Sequence, residues 1–300
     1  MLSLGFGQHQ SFYLREGWLH KGLEAIIQDK SLLTEKHAFE KLGIGKNMIT
    51  ALRFWLVACG VAEYDIKNKT YTVTEMGQLI FDNDSNLNLN FSKALIHYYL
   101  AKNSEISDIN GNKSATVIYW FFNELEGTSF EKQFLLDQYI KWATMKKEVS
   151  ENSLKRDIDC FIQMYDINNT CFDPEDVLHS PLADLKLLIK TDYIKKLEGS
   201  KSLIPVEIVL FIIYDYLIHH NIDSITLNEL VTGKKLPGKI FNLKQHEILE
   251  IIYSLKKQDF IEFTQTNNLD TIYLKRQDLN LMSIIKDYYK ESRQLDETVI

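Results

Sequence analysis

The fold is decided by residues 34–59, TEKHAFEKLGIGKNMITALRFWLVAC. Thr34 stands where a cap would precede a short helix, and Gly43 and Gly45 end that helix before a second one begins at Lys46. In the second helix, apolar residues recur at spacings of four, three and four, which predicts one buried face. Two short helices joined by a glycine-containing turn are typical of a helix-turn-helix, in which the second helix reads DNA.

The polar face of this second helix carries the residues that we expect to contact DNA. It lies opposite the apolar positions Met48, Leu52, Trp55 and Cys59. The polar side chains that share this face are Lys46, Asn47, Thr50 and Arg53. We predict that these four residues are the main DNA contacts of the protein.

A hairpin is predicted directly after the helix pair. Residues 61–64 and 70–74 read as two strands around Lys67-Asn68-Lys69, and a helix follows from Thr74. A hairpin in this position is typical of the wing of a winged helix. We therefore expect Lys67 and Lys69, at its tip, to reach the DNA backbone.

A second helix-turn-helix is predicted between Phe130 and Tyr165, with a turn at residues 147–149 and Ser150 as the cap of its second helix. The polar residues near the start of that helix are Asn152, Lys155 and Arg156. They are placed to bind phosphates or base edges, because a recognition helix usually inserts at this end. A solvated helix face is the alternative.

An aromatic segment precedes this pair, residues 118–122, IYWFF. It is apolar nearly all round, which predicts a helix packed between neighbours. A platform that stacks unpaired bases is the alternative. Packing is favoured, since clustered aromatic side chains dominate the energetics of protein cores.

The last third of the chain also has a pattern of helices followed by a hairpin. Residues 205–219, 226–230 and 244–258 read as helices, and a second hairpin is predicted around Asn267-Asn268. We expect a mainly α protein with small β-hairpin wings, built from tandem helix-turn-helix and winged-helix units. The predicted domains are an N-terminal arm and winged-helix unit at 1–84, a helical middle domain at 85–200 and a winged-helix-like domain at 201–300.

Charge limits how such a protein would bind DNA. The chain has 300 residues and a net charge of −7, which argues against coating nucleic acid by charge alone. Residues 1–60 hold seven Lys or Arg against five Asp or Glu, a local excess of about two positive charges. Any DNA contact should therefore be local.

The location expected from the sequence is the cytoplasm. The first residues lack the basic start and the apolar run of a secretory signal, and no apolar stretch is long enough to span a membrane. The cysteines are scattered, at Cys59, Cys160 and Cys171, as in proteins of a reducing compartment. We expect no membrane contact, and the sequence leaves a homodimer open.

Catalytic candidates lie in the N-terminal arm. His9 would serve as a general base or phosphate ligand, Arg15 as a phosphate clamp, and Lys21 as an additional charge. The alternative is a structural arm, in which Phe12 and Trp18 pack and Arg15 binds a carboxylate.

Metal-dependent chemistry is the remaining enzymatic possibility. The triplets at residues 65–67 and 184–186 have the acid-x-Lys form found in some nucleases, which use metal-binding carboxylates. A nickase would therefore use Mg²⁺, and no other cofactor is expected. No Gly-rich phosphate loop with Lys-Ser/Thr is present, so ATP hydrolysis would fall to a partner.

Several blocks resemble one known family, the domain of unknown function numbered four thousand and seven. Its opening motif is similar to residues 9–15, HQSFYLR, and 17–22, GWLHKG. Further blocks that resemble the family are LGIGKNM at 42–48, RFW at 53–55, YWFFN at 119–123, SLKRD at 153–157 and SPLAD at 180–184. Many members carry Glu after the motif histidine, where this chain has Gln10, so a nicking role that needs that acid would not extend to this chain.

The resemblance implies a function and partners. Members of the family resemble the B component of single-stranded DNA phosphorothioation systems, in which sulfur replaces a non-bridging phosphate oxygen. The partners implied are a cysteine desulfurase, an adenylating sulfurtransferase and an ATPase. We expect a DNA-binding component of such a modification and phage-defence system, one that recognises DNA for sulfur incorporation, and the sequence leaves open whether it also nicks one strand.

Three other functions fit the same sequence. The protein would be a DNA nickase that uses His9, Arg15 and a divalent metal, a winged-helix transcriptional regulator of its own operon, or a protein-interaction subunit without DNA chemistry. Loss of nicking in a His9→Ala protein that still binds DNA, tight binding to one palindromic promoter site, and a stable protein complex without DNA binding would distinguish them.

Overall fold

The computed structural model of the chain describes residues 6–103, 116–146, 149–169, 179–266, 269–275 and 279–298. The chain forms two compact units, Met1–Leu197 and Glu198–Ile300. The predicted domains 1–84 and 85–200 fall almost entirely within the first unit, and a boundary between them remains a prediction. The predicted domain 201–300 falls within the second unit.

The first unit consists mainly of helices. They are α1 (Trp18–Gln28), α2 (Ala38–Leu42), α3 (Lys46–Ala58), α4 (Glu75–Asp84), α5 (Asn90–Lys102), α6 (Thr116–Tyr119), α7 (Lys132–Thr144) and α8 (Glu151–Tyr165). Short 3-10 helices span Leu32–Thr34 and Pro181–Leu185, and α6 continues into a π-helical turn, Trp120–Glu124. Helix α2 packs on α3 and α7 packs on α8, so both predicted helix pairs are present.

Two small antiparallel sheets complete the first unit. In the hairpin, β1 (Ala62–Asp65) pairs with β2 (Thr70–Val73). The other sheet has the order β3-β5-β4, from Ser129–Phe130, Ile194–Lys196 and Leu188–Lys190. This second sheet is not predicted from the sequence, because strands of two or three residues are too short to show a periodicity.

The decisive helix pair forms as predicted except at its first residue. Thr34 does not cap α2: its hydroxyl donates to the carbonyl of Ser31 within a 3-10 turn, and His37 occupies the N-cap position. Gly43 ends α2 in the left-handed region, at φ 61°, where glycine carries no steric penalty. Of the predicted apolar face of α3, Leu52, Trp55 and Cys59 are buried, whereas Met48 is half-buried.

The hairpin is fixed at its base by α4. The Thr74 side chain caps α4 by accepting a hydrogen bond from the Gly77 backbone amide. At Gly77 an added Cβ would lie 2.0 Å from the carbonyl oxygen of Val61, so the helix touches the chain entering β1. The hairpin is therefore held between α3, which precedes it, and α4.

The aromatic segment is core, as predicted. Ile118, Tyr119, Trp120, Phe121 and Phe122 are all buried. The ring of Phe121 lies 4.6 Å from that of Phe161 on α8, centroid to centroid. These rings join the middle of the chain to α8, and none is placed to stack an external base.

The second unit has helices around one three-stranded sheet. Its helices are α9 (Val206–His220), α10 (Leu227–Thr232), α11 (Pro237–Ile240), α12 (Gln245–Lys257) and α13 (Leu281–Thr298), and its strands are β6 (Ser224–Thr226), β7 (Ile261–Thr266) and β8 (Leu269–Leu274). The sheet order is β6-β8-β7. The predicted hairpin is therefore present, although the tip at Asn267-Asn268 lies outside the described residues, as do residues 147 and 148 of the predicted turn in the first unit.

The described residues confirm the coarse fold class, which is mainly helical with small antiparallel hairpins. The assignment of the units to the winged-helix class remains a prediction. Among the described helices, none has the length and apolar character needed to cross a bilayer.

Candidate functional site

The N-terminal arm, residues 6–17, is anchored by a buried pair of side chains. His9 Nε2 lies 2.8 Å from Oδ1 of Asp157 on α8, and the two residues are 4% and 2% exposed. The backbone amide of Gly7 donates to the same carboxylate oxygen at 2.8 Å. The arm is thereby tied to a helix that lies about 150 residues further along the chain.

The imidazole of His9 also packs on α3. It stacks on the ring of Trp55 with centroids 6.0 Å apart and planes at 21°, and Phe54 meets it edge-on. Trp55 Nε1 donates to the carbonyl of Phe12 at 2.9 Å, which fixes the arm at a second point. The arm, α3 and α8 therefore meet at His9.

Little space surrounds this pair. The adjoining cavity, which Cys160 and Thr116 also line, measures about 10 Å³, close to the minimum for one water molecule. His9 Nδ1 and Asp157 Oδ2 are buried and have no hydrogen-bond partner among the described residues. Burial raises the pKa of Asp157, and the hydrogen bonds from His9 and Gly7 only partly oppose that shift. The surroundings favour an anchor, because a phosphodiester does not fit beside His9.

The other two catalytic candidates of the arm are engaged with the protein. Arg15 lies among three aromatic rings, with its Cζ 5.4 to 5.7 Å from the centroids of Phe12, Tyr13 and Trp18. Lys21, on α1, donates through Nζ to the carbonyl of Leu42 at 3.1 Å, and so supports the end of α2. The structure does not gather His9, Arg15 and Lys21 around one open site.

The predicted DNA contacts on α3 are exposed at the N-terminal end of the helix and less exposed further along it. Lys46 and Asn47 are exposed in the first turn, whereas Thr50 and Arg53 are half-buried. Arg53 approaches the hairpin: burial raises the pKa of Tyr71 on β2, and the nearby Arg53 charge partly opposes that shift. The Nε atom of Arg53 is buried without a hydrogen-bond partner among the described residues.

The predicted contacts at the hairpin tip are exposed on a well-defined turn. Asp65 Oδ1 accepts from the backbone amides of Lys67 and Asn68, at 2.8 and 3.1 Å. Lys69 then takes a left-handed conformation, at φ 55°, before β2 begins. The side chains of Lys67 and Lys69 are exposed on this turn.

These lysines differ from others in the same unit. Lys41, Lys93 and Lys132 each form an ion pair, with Glu35, Asp184 and Asp159, at 2.5 to 2.6 Å. By contrast, none of Lys46, Lys67 and Lys69 lies within ion-pairing distance of a carboxylate in the described part of the chain. Lys67 interacts with the charge of Asp65 at longer range, and none of the three lysines is held in a direct ion pair.

The predicted contacts on α8 are also exposed. Ser150 caps the helix as predicted, by accepting from the backbone amide of Ser153. Arg156 donates to Asn152 O and Ser153 Oγ, both at 3.3 Å, so its guanidinium lies along the first turns of the helix. Asn152 and Lys155 point to solvent, and the structure does not connect this group with the one on α3.

One charged cluster is not predicted from the sequence. Lys93 on α5 and His179 both bind Asp184, at 2.6 and 2.7 Å. The only signal for it was the triplet of residues 184–186, but Lys186 is exposed and is not the partner of Asp184. The other triplet is also not an ion-paired site, since Asp65 serves the hairpin turn. Among the described residues, no three His, Cys, Asp or Glu side chains converge as metal ligands.

The chain is similar to two solved structures and matches one protein family. Two crystal structures of SspB, one of them described as magnesium ion-bound, are similar to the chain, with TM-scores of 0.82 and 0.81 at 22% identity. Each match covers 96% of this chain and 89% of the other, so the fold is shared over nearly the full length. No curated protein matches the chain. Residues 6–289 match the family described as "Protein of unknown function (DUF4007)", and the chain therefore belongs to this family.

Proposed function

We propose that this protein is the DNA-binding component of a DNA phosphorothioation and phage-defence system. The observation that carries the proposal is the set of exposed, unpaired cations on α3 and the hairpin tip: Lys46, Lys67 and Lys69. An ion-paired lysine offers little net charge to a ligand, whereas an unpaired one attracts phosphate and releases the counterions bound there. In a chain of net charge −7, such a local group supplies the contact that overall charge does not.

The neighbouring polar residues suit a nucleic-acid surface. Asn47 stands beside Lys46 at the start of α3, where a side-chain amide would reach base edges. Arg53 lies seven residues later, about 10 Å along the helix axis, and its charge lowers the pKa of Tyr71 on the hairpin, against the larger effect of burial. On α8, Asn152, Lys155 and Arg156 offer a second group of contacts in the same unit.

The pathway comes from the likeness to SspB, the B component of a phosphorothioation system. By this likeness a cysteine desulfurase, a sulfurtransferase and an ATPase would be the partner proteins, and DNA the shared substrate. One SspB structure is described as magnesium ion-bound; in this chain the described residues hold no cluster of three such ligands, so water and phosphate oxygens would complete the coordination of any magnesium ion.

A salt titration tests the proposal. Fluorescence anisotropy with a labelled duplex gives the dissociation constant at several salt concentrations, for the wild type and for a K46A/K67A/K69A variant. Each lost phosphate contact reduces the magnitude of the slope of log K against log salt by about 0.9. The slope of the triple variant should therefore be smaller in magnitude by about 2.7 than that of the wild type. The matched control is Lys132→Ala, whose lysine is already paired with Asp159, and its slope should stay close to that of the wild type.

The outcome decides between this proposal and its rivals. Equal slopes for the triple variant and the wild type would mean that the DNA interface does not include these lysines of α3 and the hairpin. Binding confined to a single promoter sequence would favour the transcriptional regulator. Absence of binding at 50 mM salt would overturn the DNA-binding role.

A protein-interaction subunit is the second candidate function. Its support lies in the second unit, where Ile218, Ile222 and Tyr273 are 58%, 41% and 41% exposed and line one shared depression. Exposed apolar side chains that cluster are more typical of protein contacts than of a solvated surface. This candidate predicts a stable complex with a pathway protein that is lost in an I218D/I222D variant.

A further inference from the structure

A cleft in the second unit opens between the β7-β8 hairpin and the starts of α10 and α12. Its volume is about 730 Å³, within the range of about 300–1,000 Å³ that ligand-binding pockets occupy. It shares no described lining residue with the depression at Ile218. Its walls are formed in part by Asn228, Val231, Gln245, Gln265, Leu269 and Asp270.

The hairpin side of the cleft continues the inner face of the sheet. Gln265 on β7 is paired with Asp270 on β8, and the pair two residues further along each strand is Phe263 with Ile272. Because side chains alternate along a strand, all four point to the same side of the hairpin. Phe263 and Ile272 are buried, whereas Gln265 is exposed. The inner face thus passes from the core into an open, polar end.

The charge of this cleft is negative. Among the described residues that line it, Asp270 alone is charged, and none is Lys or Arg. Asp270 is half-buried, and its carboxylate forms no ion pair or hydrogen bond with another described residue. The start of α10 supplies no free positive end, because the Glu229 side chain accepts from the backbone amide of Thr226 in a capping box. The cleft therefore disfavours an anion such as DNA and attracts a cationic group.

The other groups in the cleft suit a polypeptide. The side-chain amides of Asn228, Gln245 and Gln265 are exposed, and each offers both donors and an acceptor, which peptide groups can satisfy. Leu269 is 58% exposed and offers an apolar surface to the hydrocarbon stem of a Lys or Arg side chain. The charged head of such a side chain then reaches the carboxylate of Asp270. A small inorganic cation would use neither the amide donors nor Leu269.

We propose that this cleft docks a segment of a partner polypeptide, with a Lys or Arg side chain of that segment bound at Asp270. The inference goes beyond the proposed function, because it concerns the second unit and requires no bound DNA. The two units then have separate roles: lysines of the first unit contact DNA, and a carboxylate of the second unit contacts a protein.

The test uses two blocked pentapeptides as probes, Ser-Val-Lys-Thr-Ser and Ser-Val-Glu-Thr-Ser, which differ only in the central side chain. NMR follows the backbone amide signals of the ¹⁵N-labelled full chain during titration to millimolar peptide. The lysine peptide should shift the signals of Gln265, Leu269 and Asp270 until they saturate, whereas the glutamate peptide should leave them unchanged. Equal shifts from both peptides, or shifts from neither, would overturn the proposal.

Variants at Asp270 test the charge directly. Asp270→Asn should weaken binding of the lysine peptide by about two- to fivefold, the effect expected for one partly exposed ion pair. The matched control is Asp223→Asn, an exposed aspartate of the same unit that does not line the cleft, and it should bind like the wild type. Asp270→Lys should reverse the preference and bind the glutamate peptide. Unchanged amide signals outside the hairpin show that these variants are folded, and equal affinity of Asp270→Asn and the wild type would contradict the role of Asp270.

A short DNA duplex separates this inference from the proposed function. The K46A/K67A/K69A variant should keep the wild-type affinity for the lysine peptide, because its substitutions lie in the first unit. Loss of DNA binding by the wild type would overturn the proposed function and leave peptide docking intact. Shifts of the cleft signals by the duplex, without shifts by the lysine peptide, would overturn the docking role and assign the cleft to nucleic acid.

Discussion

The Nε2 atom of His9 lies 2.8 Å from Oδ1 of Asp157, and this contact joins the arm to α8 across 148 residues of sequence. Because the same imidazole stacks on Trp55, it also fixes the arm against α3. Both helices with predicted DNA contacts therefore border one buried pair. The stability of the first unit should depend on this pair more than on any surface ion pair.

Asp157→Ala should destabilise the first unit by about 3–5 kcal/mol, the usual cost of removing one partner of a buried pair. The substitution leaves His9 Nε2 and the Gly7 amide buried without their acceptor. Urea unfolding followed by tryptophan fluorescence measures the change. The matched control is Asp159→Ala, two residues along α8, whose carboxylate pairs with Lys132 at the surface and should cost at most about 1 kcal/mol. Equal effects of the two variants would show that the buried pair has no special role.

The pair of Lys93 and Asp184 should give stability that depends on pH. The pKa of Asp184 in the folded protein lies below its ordinary 3.8, so its contribution is complete above that value and is lost as the pH falls through the folded pKa. At pH 7, Asp184→Asn leaves the Lys93 ammonium without a carboxylate and should cost about 1–3 kcal/mol. Urea titrations from pH 7 down to pH 3 should show the wild type and the variant converging. A constant difference across this range would contradict the linkage.

The features that the sequence predicted correctly are those determined by a few neighbouring residues. The turn at Gly43, the apolar face of α3 and the cap at Ser150 each depend on a few neighbouring residues, and each is present. The wrong prediction of a cap at Thr34 also has a local cause, because the Thr34 hydroxyl donates to a carbonyl within the preceding 3-10 turn.

The contacts of the candidate sites could not be predicted in this way. Asp157 and His9 are 148 residues apart, and Asp184 and Lys93 are 91 apart, so only the path of the whole chain brings them together. The triplet at 184–186 instead suggested the acid-x-Lys form of some nucleases, of which Lys186 is the third residue. That residue takes a left-handed conformation, at φ 53°, ends the 3-10 helix and leaves its side chain exposed. Periodicity carries no information about such pairings.

Gly77→Ala should disrupt the packing that positions the hairpin. The added Cβ would lie 2.0 Å from the carbonyl oxygen of Val61, a backbone atom that cannot move aside alone, so a loss of about 3 kcal/mol is expected. Gly43→Ala is the control, because its Cβ would meet no atom within 4 Å and only the left-handed φ of 61° is penalised, by about 1 kcal/mol. Thermal unfolding gives both values, and hydrogen exchange at residues 62–73 locates the effect. A smaller loss in Gly77→Ala than in Gly43→Ala would mean that α4 does not fix the hairpin.

His9→Ala decides whether the arm anchors the fold or acts on DNA. The substitution leaves Asp157 buried without its imidazole partner, so the free energy of unfolding should fall by about 3–5 kcal/mol. Because the ring is 4% exposed and its cavity is too small for a phosphodiester, DNA affinity and nicking per folded molecule should stay within about twofold of the wild type. The measurements are DNA affinity by fluorescence anisotropy and nicking of supercoiled plasmid, at a temperature where circular dichroism shows the variant fully folded. A His9→Ala protein that is stable and binds DNA but does not nick would favour a catalytic role for the arm, because loss of a purely structural anchor should lower stability first.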